Sequence, residues 1–246
     1  VARNNGLKVA QGEYVFFCDS DDWLENTALE LLYDHAKNEK ADFVYCDFFM
    51  NYKNEEVYTK SVPFSSNKKV FTQYYLMNGW PVVWNKLYRR DFLISHNLKF
   101  DERFVFCEDL LFTTSVLNFS TRYSYLNKAL YHYNRCNMKS ITNTLSIDSK
   151  VHNTIQNGID VLSIIIEEYR KKELFNHIQQ ELAWNFLKAK APLIFYKNRR
   201  IEYCRLYPEF DKYVWSNPLL SYKMKILQIM MRSRVMWKVI DVICLI

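Results

Sequence analysis

Hydrophobic and polar positions alternate along the chain in two textures. Residues 3–10 have the pattern of a short helix closed near Gly12, and Tyr14-Val15-Phe16-Phe17-Cys18 is a continuous apolar run of the kind found in strands buried on both faces. The run ends abruptly in Asp19-Ser20-Asp21-Asp22. Thr27 and Glu30 then have the spacing of a capping box for a helix reaching about Glu39, and Asp42 to Asp47 predicts a second strand. Residues 48–69 are polar and irregular, as in a hairpin or a mobile loop. Helices are predicted over roughly 70–78, 84–95 and 108–118, and strands near 122–126 and 129–134. Strand alternating with helix argues for an α/β layer.

Beyond about residue 147 no strand signal returns. Ile155, Ile159, Leu162 and Ile166 recur at helical spacing, and Pro192, Pro208 and Pro218 divide the rest of the chain into helical pieces. The chain therefore divides into an α/β part over 1–147 and an all-helical region over 148–246. Ile226 to Ile246 is apolar, but Arg232, Arg234, Lys238 and Asp241 interrupt it, so it is no simple spanning helix. Two short helices with a break near Ser233 suit the pattern better, lying on a membrane surface or packing on the domain.

Composition narrows the class. Of 246 residues, 49% are hydrophobic and 17% aromatic, with 4 glycines, which excludes collagen-like and linker-type chains. Residues 186–246 hold 12 Lys/Arg against 4 Asp/Glu, so all of the basic excess of the chain (+6 in total) sits there. Such a tail suits peripheral contact with an anionic membrane or, equally, an ordinary solvated helical surface; no nucleic-acid motif accompanies it, and no nucleic-acid partner is expected. The 6 cysteines form no short spaced pair, which points to a reducing, cytoplasmic setting, at the inner face of the cell membrane if the tail binds lipid. Val1-Ala2-Arg3-Asn4-Asn5 lacks the apolar core of a signal peptide, and the chain is read as starting inside a domain.

The acidic burst carries the chemistry. A buried strand ending in Asp-x-Asp puts carboxylates at the C-terminal edge of a sheet, where α/β folds bind ligands. Carboxylates so close repel unless a cation or proton joins them. Hard divalent metals take oxygen ligands, so Mn²⁺ or Mg²⁺ with a phosphate is a fitting guest; capping of the following helix is the plainer alternative. An EF-hand loop from Asp19 would need Gly where Leu24 stands, and a haloacid dehalogenase-type motif would need Thr or Val where Trp23 stands.

Several ordered motifs carry a resemblance. Ala2-Arg3-Asn4-Asn5-Gly6-Leu7, Ala10-x-Gly12-Glu13-Tyr14-Val15 and Phe17-Cys18-Asp19-Ser20-Asp21-Asp22-Trp23-Leu24 resemble the middle of family 2 glycosyltransferases of the GT-A fold. So do Trp84-Asn85-Lys86-Leu87-Tyr88-Arg89-Arg90, Glu108-Asp109-x-x-Phe112, Tyr131-x-Tyr133 and Ser140-Ile141-Thr142. The resemblance covers roughly residues 2–145. It implies a Rossmann-like mixed sheet flanked by helices, with the first strands of the family's fold missing upstream.

The resemblance also implies roles. Asp19 would lie near the ribose of a nucleotide-sugar donor and Asp21 would hold the metal on its diphosphate, with Asp22 a neighbour of unassigned role. Arg3 would lie near the nucleotide. Asp109 would be the base of an inverting transfer, supported by Glu108, although both acids also suit the start of a helix. Cys136 stands where some relatives carry a metal-proximal His; His132 is a poor substitute, and Arg135 or Lys139 would meet the diphosphate instead. Trp80 and Trp84 sit where relatives approach the acceptor, although aromatics at that spacing also suit a core. Lys86 reads as structural. The function implied is transfer of a sugar from a nucleotide-diphosphate donor, a UDP-sugar, to a hydroxyl of a glycan or lipid-linked acceptor in bacterial surface polysaccharide synthesis. The alternative is a catalytically incomplete fragment that binds a glycan or a partner.

Overall fold

The computed structural model describes residues 2–79, 81–137 and 148–243. The chain separates into two compact units, Val1–Val151 and His152–Ile246.

The first unit is built on a six-stranded mixed sheet flanked by helices. Its strands are β1 (Tyr14–Phe16), β2 (Trp23–Leu24), β3 (Phe43–Tyr52), β4 (Glu55–Thr59), β5 (Lys86–Arg89) and β6 (Tyr123–Asn134), in the spatial order β1-β5-β3-β6-β2 with β4 added to β3. Helices α1 (Ala2–Val9), α2 (Ala28–Glu39), α3 (Lys68–Asn78), α4 (Arg90–Ser95) and α5 (Glu108–Phe119) surround it. β3 is the spine, antiparallel to β4 and β5 and parallel to β6.

Both faces of β3 are covered over Phe43–Cys46, which explains the apolar run there. Phe43 and Tyr45 belong to an aromatic layer with Phe17, Phe71, Tyr88, Phe100 and Phe112. Val44 and Cys46 face a smaller layer in which Ala28, Leu32 and Ala36 of α2 allow close helix-to-sheet approach.

Of the two alternatives for the irregular stretch after residue 48, the structure has the hairpin, β3 with β4. Three other expectations change on contact with the structure. The helix expected over 84–95 begins only at Arg90; Lys86–Arg89 is a strand, wedged antiparallel between β1 and β3. Its four residues, only two of them apolar, are too few to show a period that distinguishes strand from helix. The two strands near 122–126 and 129–134 are one strand, β6, whose register on β3 slips twice, between Leu126 and Ala129 and again between Ala129 and Tyr131; the extra residues bulge and regular pairing resumes from Tyr131. Thr27 makes no capping hydrogen bond: its φ of −99° and ψ of 5° are not the extended backbone that a side-chain cap requires, and α2 is entered through a turn in which the Ala28 N–H donates to the Glu25 carbonyl at 2.9 Å.

Asp42, at the head of β3, ties three strand ends together. Its carboxylate accepts from the Thr121 and Arg122 amides at 2.8 and 3.0 Å and from the Arg89 guanidinium at 2.5 Å. Burial works to raise its pKa, but the Arg122 amide, the Arg89 guanidinium and the Thr121 amide outweigh that and hold it below the ordinary value. A carboxyl with a depressed folded-state pKa contributes stability above its unfolded pKa of about 3.9 and loses it as pH falls through the folded value. Asp42→Ala is therefore expected to cost about 2–4 kcal/mol at pH 7 in denaturant melts, with the difference from the parent protein shrinking as pH falls below about 4.

The second unit is entirely helical among its described residues. α6 (Asp148–Arg170) buries Ile159, Leu162 and Ile166 as its spacing predicts. It is followed by α7 (Phe175–Lys190), α8 (Arg200–Arg205), α9 (Tyr222–Met230) and α10 (Trp237–Ile243), joined by 3₁₀ turns, two of which begin at or next to Pro192 and Pro208. The expected break near Ser233 separates α9 from α10. No helix among the described residues is long and apolar enough to cross a membrane.

Candidate active site

Three segments far apart in sequence converge on one guanidinium. Arg3, on α1, donates through Nη2 to Asp19 Oδ1 at 2.8 Å and through Nη1 to Asp109 Oδ1 at 2.6 Å, with Glu108 Oε1 at 3.5 Å. Asp19 lies in the loop after β1, and Glu108 and Asp109 form the first turn of α5, where the positive end of the helix favours acids. The helix thus accounts for acids at this place, and Arg3 accounts for their orientation.

α1 is held in register by Asn4, whose amide donates to the Phe100 carbonyl at 2.8 Å and accepts from the Phe100 N–H at 2.9 Å. The Arg3 guanidinium also lies 5.4 Å from the centre of the Phe100 ring. The residue before the acids, Cys107, takes φ = 65°, a left-handed conformation that costs free energy in a residue with a Cβ. Strain of this kind gathers where side chains must be aimed.

Asp109 is largely buried, and burial is the main cause that pushes its carboxyl up to about 7; Arg3 opposes, while Glu108 and Asp19 add to the rise. A carboxyl poised near neutrality, facing a cluster of charge, is matched to proton transfer.

The acidic loop divides its work. The Asp22 carboxylate is taken up internally, accepting from the Tyr131 hydroxyl at 2.5 Å and from the Asn134 N–H at 2.8 Å. The Asp19 N–H donates to the same Tyr131 oxygen at 3.2 Å. Asp22 therefore fastens the loop to β6, the role its sequence left open. Asp21, half-buried, accepts from the Asn137 amide at 2.6 Å. Nothing in the sequence pattern pointed to Tyr131, Asn134 or Asn137 as supports of this loop, because they lie more than a hundred residues away; Tyr131 entered only through a family motif.

The carboxylates suit a hard divalent cation in type. Among the described residues no three His, Cys, Asp or Glu side chains form a metal nest of their own. One or two carboxylates completed by substrate phosphate and water are the usual donor set for Mg²⁺, and Asp19 and Asp21 match that set.

The other candidates are spread more widely. Arg135 is exposed, its guanidinium 5.5 Å from the Tyr133 ring and within 3.3 Å of that residue's hydroxyl. Trp84 corrects the expectation of an acceptor-stacking face: it is 3% exposed, stacked at 4.5 Å with Tyr131 and 5.3 Å with Tyr133, so its ring is core. Trp80 and Lys139 lie outside the described residues. His132 turns to Glu25 at 3.1 Å and Glu56 at 3.2 Å, between the rings of Trp23 and Phe49. Lys86 is buried, donating to the Val82 carbonyl and the Asn85 amide oxygen at 2.6 and 2.7 Å, and burial pulls its ammonium down to about 7.

A family model, Glycosyl transferase family 2, matches residues 1–97, the segment that carries Arg3, Asp19 and Asp21. Residues 1–97 are therefore similar to this family. Over 160 residues the chain is 31% identical to the cholesterol galactosyltransferase of Borreliella burgdorferi, a match covering 59% of this chain and 44% of that protein. Over 155 residues it is 30% identical to the poly(ribitol-phosphate) β-N-acetylglucosaminyltransferase TarP of Staphylococcus aureus, covering 62% and 46%. The chain thus spans less than half the length of these curated relatives. In fold, the crystal structure of S. aureus TarS 1–349 in complex with UDP-GlcNAc aligns with a TM-score of 0.58 at 19% identity, over 97% of this chain and 67% of that one. The fold is of the GT-A type, a mixed sheet flanked by helices followed by a helical region.

Proposed function

We propose that the chain is the part of an inverting glycosyltransferase that carries the base and the diphosphate-binding acids. It would pass a sugar from a nucleotide-diphosphate donor, a UDP-sugar, to a hydroxyl of a glycan or lipid-linked acceptor. The observation that carries this reading is the bridge of Arg3 between Asp19 of the acidic loop and Asp109 at the start of α5, which puts the candidate donor-side acid and the candidate base on one guanidinium. The relatives support it: one is named for galactosyl transfer, one for N-acetylglucosaminyl transfer, and a structural neighbour holds UDP-GlcNAc.

In the step, the Asp109 carboxylate takes the acceptor hydroxyl proton as that oxygen bonds to the anomeric carbon. The bond from that carbon to the diphosphate oxygen breaks on the opposite face, inverting the configuration, and the electron pair leaves with the nucleoside diphosphate. Arg3 offsets negative charge between donor and base, and Glu108 flanks the acceptor. Mn²⁺ or Mg²⁺, held by Asp21 with Asp19 close by, would supply Lewis-acid stabilisation of the departing diphosphate. Arg135, as the resemblance implies, would meet a phosphate oxygen. A cytoplasmic setting at the inner membrane face, where lipid-linked acceptors of surface polysaccharide synthesis are displayed, fits the basic tail.

Calorimetric titration of UDP into the chain with and without Mn²⁺ tests the reading. Saturable binding that requires the metal is the expected result. Equal binding without metal would overturn the metal assignment, and turnover with no dependence on Asp109 would overturn the base.

A further inference from the structure

Helices α9 and α10 are packed with part of their polarity inverted. Gln228 is buried and donates to the Leu187 carbonyl at 3.0 Å, and Arg200 is buried beneath α10, bonded to Asp241 at 2.7 Å and to the Trp237 carbonyl at 3.2 Å. Meanwhile Tyr222, Ile226 and Ile229 on α9 are exposed, Tyr222 at 69%. So are Val235, Val239 and Val242 on the segment running into α10, Val235 at 81% and Val242 at 61%. Each triplet follows the i, i+4, i+7 spacing that puts residues on one side of a helix. Two consecutive short helices thus each present an apolar stripe outward, while Leu227, Met231 and Ile240 supply the inward contacts.

The charged residues exposed around the stripes are basic. Lys223, Arg234 and Lys238 are exposed and Lys225 is half-buried beside them. Asp241, the acid nearest in sequence, is already engaged by Arg200 and Lys197. Apolar side chains ringed by lysine and arginine match a lipid surface: the apolar atoms enter the acyl boundary while the cations meet anionic headgroups. A protein-binding face would be poor in lysine at its centre.

We propose that α9 and α10 form a docking surface for an anionic lipid bilayer, with Tyr222, Ile226, Ile229, Val235, Val239 and Val242 inserted and Lys223, Lys225, Arg234 and Lys238 at the headgroups. The surface gives the lipid-linked acceptor reading a place to act and rests on that reading only in this respect, because lipid binding needs neither donor nor acceptor.

The test is co-sedimentation of the full chain with phosphatidylcholine vesicles and with phosphatidylcholine–phosphatidylglycerol vesicles, at low and high salt. The expected result is binding to the anionic vesicles that weakens with salt. It should fall by about tenfold or more in Tyr222→Ser/Ile226→Ser/Ile229→Ser and in Val235→Ser/Val239→Ser/Val242→Ser, and by about fivefold per charge in Arg234→Gln and Lys238→Gln. The replaced side chains are exposed, so the fold is expected to survive, checked by circular dichroism. No binding to anionic vesicles at low salt, or binding unchanged in both serine triplets, would overturn the proposal. So would self-association of the parent chain by size exclusion that the triplets abolish while vesicle binding persists, which would assign the stripes to a second copy. UDP binding in the same triplet variants separates the two readings: lost lipid binding with intact UDP binding supports the surface, and failure of UDP binding in the parent chain speaks only to the catalytic one.

Discussion

Asp109→Asn is expected to leave UDP binding unchanged, to lower transfer by about 10²–10⁴-fold, and to make the protein more stable. The first two effects come from removing a proton acceptor while keeping its shape; asparagine retains an oxygen for Arg3, and Asp19 and Glu108 remain as counter-charges. The third is a matter of linkage. A carboxyl raised by burial from about 3.9 when unfolded to about 7 when folded favours the folded state only while it is protonated. As pH rises from about 4 to 7, the folded protein must hold a poorly solvated charge and loses that contribution. The asparagine variant is free of the penalty, so its advantage should be on the order of 2 kcal/mol above pH 7 and fade toward pH 4. A melting-temperature rise of about 4–8 °C at pH 8, absent at pH 4, is the matching readout. If the parent protein performs the proposed transfer, its kcat/KM should rise with pH to a plateau with an apparent pKa near 7. Full transfer activity in the variant would remove Asp109 from the mechanism; no pH-dependent gain in stability would mean that the site is wetter than its burial indicates.

Asp21→Ala is expected to abolish the metal-dependent part of UDP binding, a loss of at least about 100-fold in affinity, with little change in the melting curve. Its hydrogen bond with Asn137 joins two half-buried groups, so losing it costs the fold little. Asp22→Ala is the contrasting variant, because the same loop would lose its fastening to Tyr131 and Asn134 and the melting curve should drop. If Asp21→Ala bound UDP with undiminished metal dependence, the cation would have to be held elsewhere.

Much of this organisation was legible before the structure. Buried strands announce themselves as unbroken apolar runs, so β1 and β3 stood out, and the change to an all-helical texture after residue 147 showed in the loss of alternation. β5 did not stand out: Lys86-Leu87-Tyr88-Arg89 is a short run, and only the partners on either side make it a strand. At the site, Arg3, Asp19, Glu108 and Asp109 were identified separately through family motifs, but their meeting on one guanidinium was not, since contacts 16 to 106 residues apart leave no local trace. Trp84 failed as an acceptor contact for the converse reason. A tryptophan among aromatics has the same letters whether its ring faces a ligand or Tyr131.

The fastening of Asp22 to Tyr131 and Asn134 also sets an order on assembly. Closing that loop joins residues 109 and 112 positions apart, and β2 finds its partner, β6, over a similar distance. Such closure is entropically late, because the intervening chain must already be compact before the contacts can offset its cost. During synthesis the acidic loop leaves the ribosome early and stays unanchored until Asn134 has emerged. The acidic loop is thus fixed only after β6 has formed, and a nascent chain that stalls before β6 would expose Asp19, Asp21 and Asp22 without the Tyr131 and Asn134 contacts that fasten the loop.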